Sequence, residues 1–444
     1  MNIAFPEDWL PLVAQVQTNV YTKPARAIEA ARQLLKRCSS PEHMAYVYEQ
    51  LGFSHLILGE HRLSCLFYEQ ARKIDPKNIY VLANLAHAQY ELGECVKAVH
   101  TGREALRLKD ELACGAHPIS THGLAKRCQG ASQFIAYSLY GNQPRYCEMA
   151  VLNVIAARQH LPDLVCRFYV DATVPGALLN RLEALGAQCI YVDDKTKRMP
   201  PTFWRFLAMD DVQADWVLVR DVDSLIDAKD AWCVQDWRQS GYDFHVIRDD
   251  CCHTELILAG LFGIRSGVVG NIQSQIDQFV QLHGSAAWDR YADQLFLRNF
   301  IWPLVRQHTL THDRIYSYGE HLQPMKYVAT QQTQPLNKFI GANFATCQIA
   351  CILDNNNNSQ TPPYVTVRHP SGVLICRYLM QKNETVDNPN SWHTHLPISY
   401  MHALRSGEWQ FDIALYAKGQ VLEGEGSIDP ELLGFQPQIP MLEG

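Results

Sequence analysis

Long apolar runs are missing from this chain. No segment of its 444 residues reaches the roughly 18 consecutive apolar residues of a membrane-spanning helix. The opening MNIAFPEDWLPLVAQVQ has neither a basic start nor the sustained apolar stretch of an export signal, so a cytoplasmic location is expected. Positive charge is not in excess either. Against 46 Asp and Glu stand 39 Lys and Arg, a net charge of -7, which argues against a nucleic-acid backbone as partner. The 14 cysteines include no Cys-x-x-Cys pair, and neither Cys251-Cys252 nor Cys347 with Cys351 has zinc-finger spacing. Most are expected to be reduced, buried and small-apolar in role. With 47% hydrophobic residues the chain can bury ample core, and its length suits about two to four domains.

What is present begins with a repeat. Residues 45–78 can be laid on 79 onward at a shift of 34, which places Gly59 on Gly93, Ser64 on Ala98, Ala71 on Ala105 and Leu51 on Leu85. Small residues let antiparallel helices approach closely, and a turn glycine lets the chain reverse. With Leu51-Gly52, Gly59, Tyr68, Ala71 and Pro76, the first copy resembles the tetratricopeptide repeat; the second has Ala86 for the early Gly and Asp110 for the Pro. Pro24 to Cys38 has helical apolar spacing and reads as a degenerate earlier unit. The resemblance implies an all-α repeat region over 1–125 that binds an acceptor, a protein partner or a second copy of itself. A purely structural helical scaffold is the competing reading.

From Gln133 strands and helices alternate. Phe134 to Gly141, Val165 to Ala172, Gln188 to Asp194 and the run WVLVRDVDS from Trp216 read as strands. Pro144 to Leu161, Pro175 to Ala187 and Thr202 to Asp211 read as helices between them. Short-spaced alternation of this kind predicts a parallel sheet of βαβ units, with ligands beyond the carboxyl ends of the strands. Acidic residues fall there: Asp171, Asp193 with Asp194, and Asp221 with Asp223. The triplet Asp221-Val222-Asp223 is weak evidence as a string, because 26 Asp in a chain this long yield about one or two such triplets by chance. Its place after the fourth strand is the stronger signal.

Together these strand-end carboxylates resemble the GT-A fold of metal-dependent glycosyltransferases, over residues 131–345. The resemblance implies an α/β, Rossmann-related central sheet and a divalent Mn²⁺ or Mg²⁺ ion bridging the phosphates of a nucleoside-diphosphate sugar, UDP-linked by expectation. It implies Asp223 as metal ligand, and Asp221 as a ligand directly, through water, or as a contact to the ribose. Ser138 and Tyr140 at the first strand end would lie near the nucleotide, and Asp193 or Asp194 would meet its base or ribose. Arg205 would pair with the diphosphate or with Asp221. Gly260, with Gly263, would let backbone approach the donor sugar or mark a bulge. Asp293, in a helix expected over Trp288 to Val305, resembles the acidic helix head of the glycogenin-like family, although Leu295 stands where that family has a second Asp. Asp293 is the first candidate base, with Asp249 and Asp250 as alternates. His312 matches that family's late metal-binding His by order in the chain.

Beyond residue 350 the alternation stops. A polar connector from Asp354 to Pro363 precedes a hairpin around His369-Pro370-Ser371-Gly372 and a strand at Phe411 to Ala417, so 350–444 reads as a small β-rich region. His393-Thr394-His395 is expected to be a loop. The activity implied is transfer of a hexosyl or N-acetylhexosaminyl group to a glycan or protein hydroxyl. A protein-binding scaffold with a non-catalytic α/β part is one alternative. A nucleotidyltransferase is another, disfavoured because no Gly-rich, Lys- or Arg-bearing loop follows the first strand.

Overall fold

The computed structural model describes residues 4–116, 124–325, 338–353, 362–383, 388, 390–415 and 422–435. The connector beginning at Asp354 falls largely outside them. Two compact units divide the chain: Met1–Thr121 with Val246–Leu258 and Arg298–Met325, and His122–His245 with Ala259–Leu297 and Lys326–Gly444. No described helix is long and apolar enough to cross a membrane.

Six helices lead the first unit: α1 (Leu10–Asn19), α2 (Pro24–Leu35), α3 (Pro41–Ile57), α4 (His61–Ile74), α5 (Ile79–Glu91) and α6 (Cys95–Ala116). The starts of α4 and α6 keep the 34-residue shift seen in the sequence. Gly59 and Gly93, at the matching turns, have φ of 72° and 80°, a left-handed conformation that a side chain would strain. Within the first hairpin the Tyr68 ring packs so closely on Gly52 that a Cβ there would lie 2.8 Å from it, and Ser64 Oγ donates to the Gly52 carbonyl at 2.8 Å. Asn78 accepts from the Tyr80 and Val81 N–H groups and so caps α5. Two later excursions of the chain complete this unit. Buried Lys109 of α6 donates to the Thr254 carbonyl at 2.7 Å and to Glu255 at 2.5 Å.

The second unit opens the alternating series with β1 (Ser132–Leu139), α7 (Pro144–His160), β2 (Val165–Val170), α8 (Gly176–Ala184), β3 (Gln188–Tyr191), β4 (Ala214–Arg220) and α9 (Ala228–Ser240). Then come β5 (Phe244–Arg248), of which Val246–Arg248 belong to the first unit, and in the second unit β6 (Leu261–Arg265), α10 (Ile272–His283) and α11 (Ala292–Phe296). The strands of this unit are ordered β3-β2-β1-β4-β6, parallel from β3 to β4, with β6 antiparallel to β4. Six of the eight β1 residues are buried, as a strand covered on both faces requires. The mixed α/β architecture, helical at the start and built on a mostly parallel sheet, is the one the sequence pattern predicts.

Two expected helices differ in detail. Pro201–Asp210 winds as a 3₁₀ helix rather than an α-helix. The helix expected over Trp288 to Val305 is broken: α11 gives way to a π turn at Leu297–Ile301 before the short α12 (Trp302–Val305). Pro303 explains the break, because it has no N–H to donate and its ring would clash with the carbonyl four residues earlier.

After α12 come β7 (Thr309–Asp313) and β8 (His321–Gln323), a parallel pair in the first unit. The remainder, in the second unit, is β9 (Thr346–Ile352), β10 (Pro363–Arg368), β11 (Leu374–Leu379), β12 (Gln381–Lys382), β13 (Ser391–Pro397), α13 (Ile398–Ser406) and β14 (Gln410–Leu415). They form two three-stranded sheets, β11-β10-β14 and β12-β13-β9. The expected hairpin is present, turning at Gly372 with φ 87°. His393 and His395 do not lie in a loop. They sit in β13, paired with Ala350 and Gln348 of β9, because Trp392, Thr394 and Leu396 alternate with them as buried residues. Fully buried Glu148 of α7 ties this region down: it accepts from Arg181 at 2.6 and 3.1 Å, Tyr378 at 2.6 Å and Tyr400 at 2.8 Å.

Candidate functional site

The site forms where β4 ends. Arg220, its last residue, is buried, and both Asp230 oxygens of α9 hold its guanidinium at 2.9 and 2.7 Å. Successive strand residues face opposite sides, so Asp221 turns to the other face. There it accepts from Arg205 of the 3₁₀ segment. The same guanidinium donates to Asp293 Oδ2 at 3.0 Å, and the Arg205 N–H donates to Ser138 Oγ, near the end of β1, at 3.0 Å. Ser138, Arg205, Asp221 and Asp293 thus come together, although up to 155 residues separate them. The Arg205 side chain is only 5% exposed. Burial opposes its charge, and the two carboxylates outweigh that cost and hold it firmly protonated.

Gly260 has a definite reason to be glycine. The β4–β6 register pairs Arg220 with Leu261, so Gly260 lies opposite Asp221, and a Cβ on it would collide with the Asp221 carboxylate. Room for that carboxylate, more than a bulge, accounts for this residue.

Asp223 follows in a loop that is pinned from two sides. Asn153 of α7 donates to the Val222 carbonyl at 2.9 Å and accepts from the Ile226 N–H at 3.2 Å. The Phe344 N–H donates to the Asp223 carbonyl at 2.7 Å. The Asp223 side chain is 19% exposed, and Arg145, in the first turn of α7, stands 3.7 Å from it. Burial raises the Asp223 carboxyl, the Asp221 charge adds to the rise, and Arg145 opposes it. Burial also pushes Asp293 up to about 6, with Arg205 pulling it down and Asp221 adding to the rise.

The other expected residues are placed as follows. Tyr140, just past β1, is partly exposed with its ring edge-on to Trp204, and burial raises its phenol. Asp193 accepts from the Thr196 N–H at 2.7 Å, shaping the turn after β3, whereas Asp194 is 97% exposed and 3.2 Å from Lys197. His312 lies buried in β7 of the first unit. Asp249 and Asp250 also belong to that unit: Asp249 accepts from Arg314 at 2.7 Å, and Asp250 from the Cys252 N–H at 3.1 Å. Among expected residues of the second unit, Asp193 and Asp194 stay apart from the cluster. Arg145, next to Pro144 at the start of α7, and Asn153 lie outside the set expected from the sequence, and tertiary placement alone brings them to Asp223 and its loop.

The donors suit a hard cation. Among the described residues the Asp223 carboxylate has Arg145 at 3.7 Å as its ion-pair partner, Asp221 engages Arg205 through one oxygen, and carboxylate oxygens are what Mn²⁺ and Mg²⁺ prefer. A cleft of about 430 Å³, lined by Lys126, Arg127, Asp215 and Arg265 among others, lies at the opposite end of β4. Its arginines are already paired, Arg265 with Asp215 and Arg127 with Asp243, so the strand-end cluster is the better candidate.

Comparison with known proteins yields no matching family model and no matching curated protein. Among solved structures, the TPR2B-domain:pHsp70-complex of yeast Sti1 aligns at 19% identity over 25% of this chain and 87% of that one, with a TM-score of 0.23. A Thermobaculum terrenum O-GlcNAc transferase mutant aligns at 15% identity over 43% of this chain and 42% of its own, with a TM-score of 0.25. At such low TM-scores these are loose likenesses, and the reading of the site rests on its own residues.

Proposed function

We propose that this chain is a metal-dependent glycosyltransferase of GT-A type, moving a sugar from a nucleoside-diphosphate donor, UDP-linked, to a hydroxyl of a glycan or protein. One observation carries the reading: a buried Arg205 joined to both Asp221 and Asp293, with Asp223 beside them, at the carboxyl end of a mostly parallel sheet. Open α/β sheets bind their ligands at that end. Asp223 and the second oxygen of Asp221 would hold Mn²⁺ or Mg²⁺, which supplies charge neutralisation for the departing diphosphate.

The chain's own groups do the rest. Arg205 fixes the orientation of Asp221 and places Asp293 within the same cluster. Asp293, with its carboxyl near 6, is largely ionised at neutral pH and suited to take the proton of the acceptor hydroxyl as that oxygen attacks the anomeric carbon. Such a role corresponds to an inverting reaction. Tyr140 offers an exposed aromatic face for the nucleotide base. The N-terminal helix hairpins would recruit the acceptor or a partner protein.

A panel of UDP- and GDP-linked sugars, incubated with Mn²⁺ and assayed for nucleotide release, tests the reading. Turnover of at least one donor, lost in Asp223→Ala with unchanged circular dichroism, supports it. No release from any donor, together with no UDP binding, overturns it.

A further inference from the structure

We propose that His87, Glu91 and Cys251 of the first unit bind a zinc ion. The site is independent of the strand-end carboxylates and of the activity proposed for them.

Three different ligand types converge there. His87 and Glu91 are four residues apart on α5, so they share one helix face, with Nε2 and Oε1 3.9 Å apart. Cys251 comes from the Val246–Leu258 excursion, and one ligand atom from each residue lies within 4.8 Å of the others. A tetrahedral zinc centre, with Zn–S of about 2.3 Å and Zn–N of about 2.0 Å, brings such atoms to roughly 3.5 Å, a small rotamer adjustment away. Nitrogen, oxygen and sulfur together select a borderline-soft ion over Mg²⁺ or Ca²⁺. The Cys251 thiol donates to Asp250 Oδ1 at 3.4 Å, and a water would fill the fourth position of the shell.

The surrounding backbone is already held. Tyr316 OH donates to the Cys251 carbonyl, the Cys252 N–H donates to Asp250 at 3.1 Å, and the Asp249 N–H donates to His253 Nδ1 at 3.0 Å. Arg314 reaches both the Asp249 carboxylate and Tyr90, the neighbour of Glu91 on α5. Cys251 is buried, while the His87 and Glu91 side chains keep 31% and 30% exposure, which leaves the ion a way in. On binding, the Cys251 thiol gives its proton to solvent and the thiolate bonds the metal. The ion would then clip the Val246–Leu258 excursion to α5.

The test uses the full chain, stripped with EDTA, dialysed and titrated with Co²⁺ and then Zn²⁺. One equivalent of Co²⁺ should produce a thiolate-to-metal absorption in the near ultraviolet, which Zn²⁺ abolishes. Cys251→Ser should remove that absorption, and Glu91→Gln, on a half-exposed helix face that tolerates change, should weaken Zn²⁺ by at least about tenfold. Asp223→Ala should leave the absorption intact, since oxygen-only ligands cannot produce it. The proposal is overturned if Co²⁺ shows no thiolate band, if the band survives in Cys251→Ser, or if Glu91→Gln binds Zn²⁺ as tightly as the parent.

Discussion

Arg205 is the residue on which the strand-end cluster turns, and replacing it with methionine has a calculable consequence. Arg205→Met keeps most of the aliphatic volume but leaves Asp221 and Asp293 without their shared cation. Removing one partner of a buried ion pair costs about 3–5 kcal/mol. Asp221 is 47% exposed and water will screen it, so the lower end applies, about 3 kcal/mol at pH 8. The pH dependence is the sharper part. Asp293 is already raised to about 6 with Arg205 opposing the rise, so the variant's carboxyl must lie higher. A carboxyl raised in the folded state destabilises that state above the raised value. As pH falls through it toward the unfolded value, the folded form takes up the proton first and stability returns, by about 1.4 kcal/mol per pH unit of the rise. Urea midpoints followed by tryptophan fluorescence, with Trp204 adjacent, should therefore show a deficit at pH 8 that shrinks by pH 5.5. A deficit below about 1 kcal/mol, or one equal at both pH values, would show that Arg205 does not neutralise the two carboxylates.

Three further outcomes follow from the same geometry. If Asp293 is the acceptor base, kcat/KM should rise with pH through a value near 6, and Asp293→Asn should abolish that limb along with most of the rate; an unchanged profile would remove Asp293 from the chemistry. Gly260→Ala should displace the Asp221 carboxylate, cost about 1–3 kcal/mol of stability and weaken Mn²⁺ binding measured by calorimetry, whereas parental Mn²⁺ affinity would show that Asp221 is not a ligand. Glu148→Gln should cost about 3 kcal/mol or more, read as a lower urea midpoint, because Arg181 is left buried without its counter-charge; a change within about 0.5 kcal/mol would mean the cluster is dispensable.

Local patterns in the sequence were legible because they are enforced locally. The 34-residue shift reappears as matching helix starts at His61 and Cys95 because each small residue, such as Gly52 under Tyr68, is set by packing within its own hairpin. The apolar runs before Asp171 and Asp221 became β2 and β4 because a strand covered on both faces must be apolar throughout, whereas β3, before Asp193, lies at the sheet edge with none of its residues buried. The pairing of Arg205 with Asp221 was one of two alternatives the residues left open, and the partnership with Asp293 depended on a helix 88 residues away that no local pattern reveals. The break after α11 is readable from Pro303, although the apolar spacing around it is that of one continuous helix. Two histidines around a threonine have the polar character of a loop, whereas Trp392, Thr394 and Leu396 carry the alternation of a strand and place His393 and His395 in β13. Arg145 owes its importance to tertiary placement beside Asp223.

In the proposed function Asp223 helps hold a cation that in turn holds a nucleoside diphosphate. Calorimetric titration of the full chain with UDP, in Mn²⁺ and in EDTA, for the parent and for Asp223→Ala, tests it most directly. Binding is expected from the parent in Mn²⁺ alone, with loss both in EDTA and in the variant. UDP binding that persists unchanged through both would contradict it.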